Sequence, residues 1–126
     1  MIFVFTGEVS AYGCCDAYEL SEKTSIERLQ HTGLLIDSKT KNFYLEQFGS
    51  NLEPGVDYEV YVSAMHSGGA GHYEISKVDV DGKNVVLWLD FIVGVGQRGA
   101  AVMNQRVLFF KAKPGCEITQ IMSLYK

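Results

Sequence analysis

The clearest structural signal in the chain lies in residues 78–91, which read VDVDGKNVVLWLDF. Asp81-Gly82 separates two apolar runs, and this dipeptide favours a β-hairpin because glycine accepts the positive φ of a tight turn. In residues 85–91 apolar side chains occupy both sets of alternating positions, and Trp88 is one of them. The pattern predicts a central strand covered on both faces, with Trp88 in the core.

Four further segments show the two-residue alternation that is typical of β-strands. They are Tyr58–Ala64, Tyr73–Val80, Val102–Lys111 and Ile118–Tyr125. A phase slip in the second segment predicts a β-bulge near Ser76-Lys77, and Pro114-Gly115 predicts a turn between the last two. We expect the five late strands to form a meander, with Ile2–Glu8 as an earlier strand.

The region between residues 24 and 48 contains the only predicted helix. Thr24-Ser25-Ile26-Glu27 matches a capping box, in which the Thr hydroxyl and the Glu carboxylate each accept a free backbone N–H. A short helix is therefore predicted over Ser25–His31. Leu34–Ile36 and Phe43–Phe48 are predicted to form a hairpin.

Length and composition indicate one folded domain. The chain has 126 residues, of which 47% are hydrophobic and 12% aromatic, and this is typical of a single globular domain. No linker or repeat divides it, so residues 1–126 are predicted to form a single domain. The predicted fold class is mostly β: an antiparallel β-sandwich or a partly open barrel with one short helix.

Charge and hydropathy exclude several functions. The formal net charge is −4 and the basic residues are scattered, whereas a nucleic-acid binder needs clustered Lys and Arg. No apolar run reaches the ~18 residues of a membrane span. The N-terminus lacks the pattern of a signal peptide, so a cytoplasmic location is expected unless the sequence begins after a removed leader.

The three cysteines, Cys14, Cys15 and Cys116, do not suggest a closed disulfide framework, because their number is odd. Reduced thiols are expected. A metal site is not predicted, since the histidines and cysteines lack ligand spacing. A Cys–His nucleophile using Cys14 or Cys15 with His66 or His72 stays open as an alternative.

Two glycine-rich connections are predicted to lie together. In a meander the turns at Asp81-Gly82 and Pro114-Gly115 share one end, so Met65–Gly71 and Gly94–Gly99 share the other. Loops held on a rigid scaffold often carry function, although ordinary hairpin loops would look the same. The predicted partner-binding residues are His66, Ser67, Gly69, His72, Gln97 and Arg98.

The second of these connections matches the dinucleotide-binding pattern G-x-G-x-x-G at Gly94, Gly96 and Gly99. A nucleotide site also needs a helix that begins at the last glycine, so that its amides can hold the pyrophosphate. Here the following segment, Val102–Lys111, has the pattern of a strand. No cofactor is therefore predicted.

Residues 56–114 resemble the β domain of bacterial PrcB-type protease-complex subunits. The residues that carry the resemblance are Val56-Asp57-Tyr58-Glu59, Gly68-Gly69, Tyr73-Glu74-Ile75, Gly82-Lys83 and Asn104-Gln105-Arg106-Val107. The loop layout is also similar to that of chagasin-type cysteine-protease inhibitors, whose proline-rich first loop and Arg-Pro-Trp loop are absent here. The resemblance implies regulation through protein–protein contact and implies no chemistry.

Three hypotheses for function follow. The leading one is a non-enzymatic protein-interaction module that binds another protein through the two glycine-rich connections and regulates or assembles with a protease. The second is a small enzyme or ligand-binding barrel that uses the same edge. The third is a structural domain that self-associates through an uncovered edge strand.

Overall fold

The computed structural model describes residues 18–67, 71–93 and 103–123. Eight strands and one helix lie within these ranges. In chain order they are β1 (Leu20–Ser25), β2 (Gly33–Leu35), α1 (Ser38–Phe48), β3 (Tyr58–Val62), β4 (His66–Ser67), β5 (His72–Asp81), β6 (Asn84–Ile92), β7 (Met103–Lys111) and β8 (Glu117–Ser123). The predicted strand Ile2–Glu8 lies outside the described residues.

The strands form two sheets that pack as a sandwich. The first has the order β1-β7-β3-β2, with β4 also paired to β7, and the second has the order β5-β6-β8. The sheets do not close into a barrel. The predicted mostly-β sandwich with one short helix is therefore confirmed, and the second sheet is mixed because β6 and β8 run parallel.

β7 is buried on both faces, which explains its apolar run. Leu108 and Phe110 face the second sheet and pack in one cluster with β6 residues such as Leu87. Val107 and Phe109 face the other way and pack with Tyr44 of α1. Residues 104–110 are consequently all buried, and the described part of the chain has three layers: helix, first sheet and second sheet.

The β5–β6 hairpin forms where the sequence predicts it. Asp81 pairs with Asn84 and Gly82 has a φ of +64°. The register shifts between Ile75 and Lys77, which confirms the predicted bulge. β6 is central in its sheet, as predicted.

The prediction that Trp88 is a core residue is wrong. The indole Nε1–H donates to Asp79 Oδ2 at 2.9 Å, and Lys77 Nζ lies 5.7 Å from the centroid of the ring. The side chain is partly exposed, because the outer face of this sheet is not covered as fully as the inner face.

The predicted meander is also wrong. Of the five late strands, only β5 and β6 are consecutive strands that pair with each other within the described ranges. The chain passes from β6 to the first sheet at β7, and returns to the second sheet at β8. The apolar pattern identifies the strands but not their neighbours. A strand that is buried on both faces has the same pattern whichever strands pair with its two edges.

The helix forms in a different place from the predicted one. The first two residues of the capping-box pattern end β1, where Thr24 pairs with Arg106 and Ser25 with Gln105. Ser25 Oγ accepts from Glu27 N at 3.2 Å, so the hydroxyl closes a local turn instead of capping a helix. Pairing with the buried strand β7 outweighs a local motif that is shared with turns.

Helix α1 occupies the region predicted as a hairpin. Asp37 is its N-cap, and Asp37 Oδ2 accepts from Thr40 N at 2.9 Å. The helix ends at Gly49, where a Cβ would lie only 2.5 Å from the carbonyl oxygen of Leu45. Tyr44 and Phe48 fall on one helical face and pack against the first sheet.

Cys116 follows the Pro114-Gly115 turn and is disulfide-bonded. The expectation of reduced thiols is therefore wrong for this residue, because an odd count of three still permits one bond. Cys14 and Cys15 lie outside the described residues.

Within the ranges that are described, no helix is long and apolar enough to cross a membrane.

We expect Asp37→Ala to lower the Tm by a few degrees, because it removes the acceptor for a free backbone N–H at the start of α1. Thr24→Ala is the matched control. Thr24 is exposed on β1 and caps no helix, so we expect a smaller effect. An equal loss for both variants, measured by thermal denaturation, would contradict the capping assignment.

The capping effect should also depend on pH. The hydrogen bond from the backbone of Thr40 is the first cause that lowers the pKa of Asp37. A carboxyl whose pKa is lowered on folding contributes stability above its unfolded pKa and loses it as the pH falls through the folded value. The difference in Tm between wild type and Asp37→Ala should shrink on acidification below the ordinary value of 3.8.

Candidate functional site

The segments that flank both glycine-rich connections lie at one end of the sandwich. Ser67 pairs with Met103, and His72 pairs with Ile92, so the strand ends bordering each connection are held side by side. β1 ends at the same place, since Ser25 pairs with Gln105. We call this the loop end, defined by the described residues Ile26, Ser67, Gly71, Val93 and Met103.

Arg106 joins the two sheets at the loop end. Its side chain is only 2% exposed. Its Nη1 donates to the carbonyl oxygen of Gly71 at 2.7 Å and to Glu22 Oε2, and its Nε donates to Asn104 Oδ1 at 3.1 Å. The guanidinium carbon lies 5.1 Å from the ring centroid of Phe91. A β7 side chain thereby fixes the backbone at the start of β5.

Glu22 completes this connection from β1. Its Oε2 accepts from Arg106, while its Oε1 accepts from the backbone N–H of Tyr73 at 3.0 Å. The carboxylate therefore satisfies a backbone donor on the edge strand β5 and neutralises the buried guanidinium. The second of these functions needs a negative charge at this position, because a buried charge without a partner is strongly destabilising.

His66 and Tyr73 form a second link between the sheets. His66 Nδ1–H donates to the carbonyl oxygen of Ser67 at 2.9 Å, which leaves Nε2 to accept from the Tyr73 hydroxyl at 3.1 Å. Phe91 packs on both rings, with centroid distances of 4.9 and 5.0 Å. Desolvation is the main cause that raises the pKa of Tyr73 to about 12, so the hydroxyl is a proton donor at neutral pH.

Gln105 and Ser63 hold two further segments near the loop end: the β1–β2 connection and the step between β3 and β4. Gln105 Nε2 donates to the carbonyl oxygen of Ser63 at 2.7 Å, and Gln105 Oε1 accepts from Leu29 N at 2.6 Å. Ser63 Oγ accepts from Arg106 N at 2.8 Å, in the irregular step between β3 and β4. The β1–β2 connection is thus held by a β7 side chain.

The predicted site residues have different environments. His66 is buried and its ring nitrogens bond within the protein, so it supports the loop end from inside. Ser67 and His72 are exposed, and His72 Nε2 lies 2.9 Å from Glu74 Oε2. The structure brings these three residues to the loop end. The other predicted residues, Gly69, Gln97 and Arg98, lie outside the described residues.

The sequence analysis did not assign a function to Glu22, Tyr73 or Arg106. Asn104-Gln105-Arg106 entered only as part of a family resemblance. The signal that could have identified them is a run of three polar residues immediately before Val107-Leu108-Phe109-Phe110, within one predicted strand. Polar side chains inside a strand buried on both faces are mostly hydrogen-bonded, and the partners of Gln105 and Arg106 make the cluster.

A cavity of about 520 Å³ opens beside the cluster, between β1 and β5, and Glu22, Tyr73, His72 and Glu74 contribute to its lining. Both carboxylates are already paired, Glu22 with Arg106 and Glu74 with His72. Among the described residues, no three His, Cys, Asp or Glu side chains converge to hold a metal ion.

Comparisons of the chain with protein-family models, with curated proteins and with solved structures found no match.

We expect Arg106→Met to lower the free energy of unfolding by about 3–5 kcal/mol, because it leaves the Glu22 carboxylate without its cation. Arg106→Met combined with Glu22→Gln should recover part of this loss. The measurement is urea denaturation of the two single variants and the double variant.

Lys111→Met is the control for Arg106→Met, since it breaks the exposed pair between Lys111 Nζ and Glu53 Oε1 at 3.0 Å. It should change stability little, because solvent screens exposed ion pairs. Equal losses for Lys111→Met and Arg106→Met would show that the buried cluster has no special role.

Alkaline pH should destabilise the fold through Tyr73. Its folded pKa is about 12, against 10.0 for an ordinary Tyr. A raised folded pKa gives stability that is complete below the unfolded pKa and is lost as the pH rises towards the folded value. Tyr73→Phe should therefore flatten the loss of stability between pH 10 and 12, as measured by denaturation at several pH values. An unchanged slope would contradict the assignment.

Proposed function

We propose that this domain is a non-enzymatic protein-interaction module that binds a partner protein through the loop end. The observation that carries the proposal is a set of exposed apolar side chains there. Ile26 is 70% exposed, Val93 54% and Met103 48%. Apolar side chains gathered at one end of a domain and bordered by polar loops are typical of protein-binding surfaces.

Strand register supports the grouping of these three residues. Met103 pairs with Ser67, Ile26 directly follows the Ser25–Gln105 pair, and Val93 directly follows the Ile92–His72 pair. Three of the six exposed large hydrophobic residues in the described ranges are therefore at this end. Ser67 and His72 add polar groups beside them, and Gln97 and Arg98 belong by sequence to the adjoining connection.

Rigidity of the supporting cluster is the second argument. Arg106 and Glu22 hold the backbone of Gly71 and Tyr73, and His66 holds the start of the first glycine-rich connection. A surface whose supports are fixed before binding loses less conformational entropy when the partner arrives. The buried polar cluster thus acts as a scaffold for recognition.

We propose that the partner belongs to a protease complex, because the sequence resembles PrcB-type subunits.

We propose that the protein meets this partner in an oxidising compartment. Disulfides persist in such compartments and are rare in the cytosol, and Cys116 is disulfide-bonded. This proposal replaces the cytoplasmic location expected from the sequence.

We expect Met103→Asp to abolish capture of the partner, because it places a charge among apolar side chains that binding would bury. The measurement is affinity capture from native cell extract, quantified by mass spectrometry against wild type. Val80→Asp is the matched control: Val80 is 37% exposed on β5, beside the hairpin turn at the opposite end of that strand.

The proposal requires a protein that wild type and Val80→Asp retain equally and that Met103→Asp loses, with similar Tm values for all three. Equal retention by Met103→Asp would refute binding at the loop end. A captured species that is only a second copy of this chain would favour the self-associating alternative.

A further inference from the structure

A second surface lies between the β1–β2 connection and α1. It is a groove of about 460 Å³, and its lining includes Arg28, Leu29 and His31 on one side and Lys39, Phe43 and Tyr44 on the other. None of the loop-end residues Ile26, Ser67, Gly71, Val93 and Met103 lines it, so it does not depend on the function proposed above.

The floor of the groove is aromatic and well supported. Phe43 is 55% exposed, an unusual position for a large apolar side chain, and its ring meets Tyr44 edge to face at 5.6 Å between centroids. Tyr44 is 2% exposed and stacks on Phe48. Phe43 is thus held on a rigid base while much of its surface faces solvent.

Contacts across the groove fix its width. The Tyr44 hydroxyl lies 3.4 Å from both His31 N and His31 Nδ1, and the two rings meet edge to face at 5.8 Å. Leu29 N is bound by Gln105 of β7. The β1–β2 connection and the helix are therefore joined at the base of the groove, which is present before any ligand binds.

The charge of the groove is opposite to that of the chain. Arg28 on one side and Lys39 on the other are exposed, and neither forms an ion pair within the described part of the protein. None of the described lining residues is Asp or Glu. Asp37 borders the groove and its carboxylate attracts Lys39, while it also accepts from both the N–H and the hydroxyl of Thr40 at the start of α1.

We propose that this groove binds an acidic linear peptide segment of a partner protein. An apolar side chain of the peptide packs on Phe43, and carboxylates on either side of it pair with Arg28 and Lys39. The two cations on opposite walls match a ligand that carries an anion on each side of an apolar group. A short peptide can present these three groups within a few residues. The volume is of the order of known ligand sites, about 300–1,000 Å³.

Fluorescence anisotropy with a labelled peptide, Gly-Asp-Glu-Phe-Asp-Glu-Gly, tests the proposal on the full chain. We expect saturable binding that weakens roughly tenfold in Arg28→Glu/Lys39→Glu, since two attractions become repulsions. The matched control is Lys77→Glu/Lys83→Glu, which reverses two exposed charges on the β5–β6 hairpin and should bind as wild type does.

Two further peptides separate the contributions. Replacing the acidic residues by Ser, or the Phe by Ser, should each reduce binding, and Phe43→Ala should do so where Val80→Ala does not. Failure of the acidic peptide to bind, equal binding by both charge-reversal variants, or equal binding without the Phe would each overturn the proposal.

A second copy of this chain is the competing occupant, since the chain is itself acidic. Light scattering that reports a dimer lost in Phe43→Ala would overturn the proposal in favour of self-association. Met103→Asp should leave peptide binding unchanged, so failure here and failure at the loop end are distinguishable.

Discussion

The burial of β7 on both faces is the constraint on which the other features depend. One face of this strand supplies Leu108 and Phe110 to the core between the sheets, and the other supplies Val107 and Phe109 to the layer beneath α1. β1 and β3 pair with its two edges. The apolar residues 107–110 are fully covered. The polar residues 104–106, which directly precede them on the same strand, are therefore buried as well.

Those polar residues give the loop end its structure. Asn104, Gln105 and Arg106 are each at most 2% exposed. Buried ion pairs contribute little net stability, because the desolvation cost offsets the attraction. The main contribution of this pair is to geometry. Arg106 and Glu22 connect β7, β1 and the start of β5 through directional hydrogen bonds. The cluster thereby determines where the flanking segments meet.

The loop end and the aromatic groove share a support in Gln105. Its amide nitrogen bonds Ser63 beside the first glycine-rich connection, and its carbonyl oxygen bonds Leu29 in the wall of the groove. Two surfaces of different character therefore rest on neighbouring positions of one strand. The loop end presents apolar side chains beside the polar residues Ser67 and His72. The groove presents an aromatic side chain and two cations that form no ion pair with any described residue.

The sequence alone determined the strands β3, β5, β6, β7 and β8, the bulge near Ser76-Lys77 and the hairpin at Asp81-Gly82, because alternation and turn chemistry are local properties of the chain. Tertiary structure decided the rest. Thr24 and Ser25 of the capping-box motif became the end of β1 because pairing with β7 outweighed a helical cap. Residues 38–48 became a helix because Tyr44 and Phe48 could pack on the first sheet. Strand order, the parallel β6–β8 pair and the Arg106–Glu22 connection depend on contacts between residues distant in sequence, and no local pattern encodes such contacts.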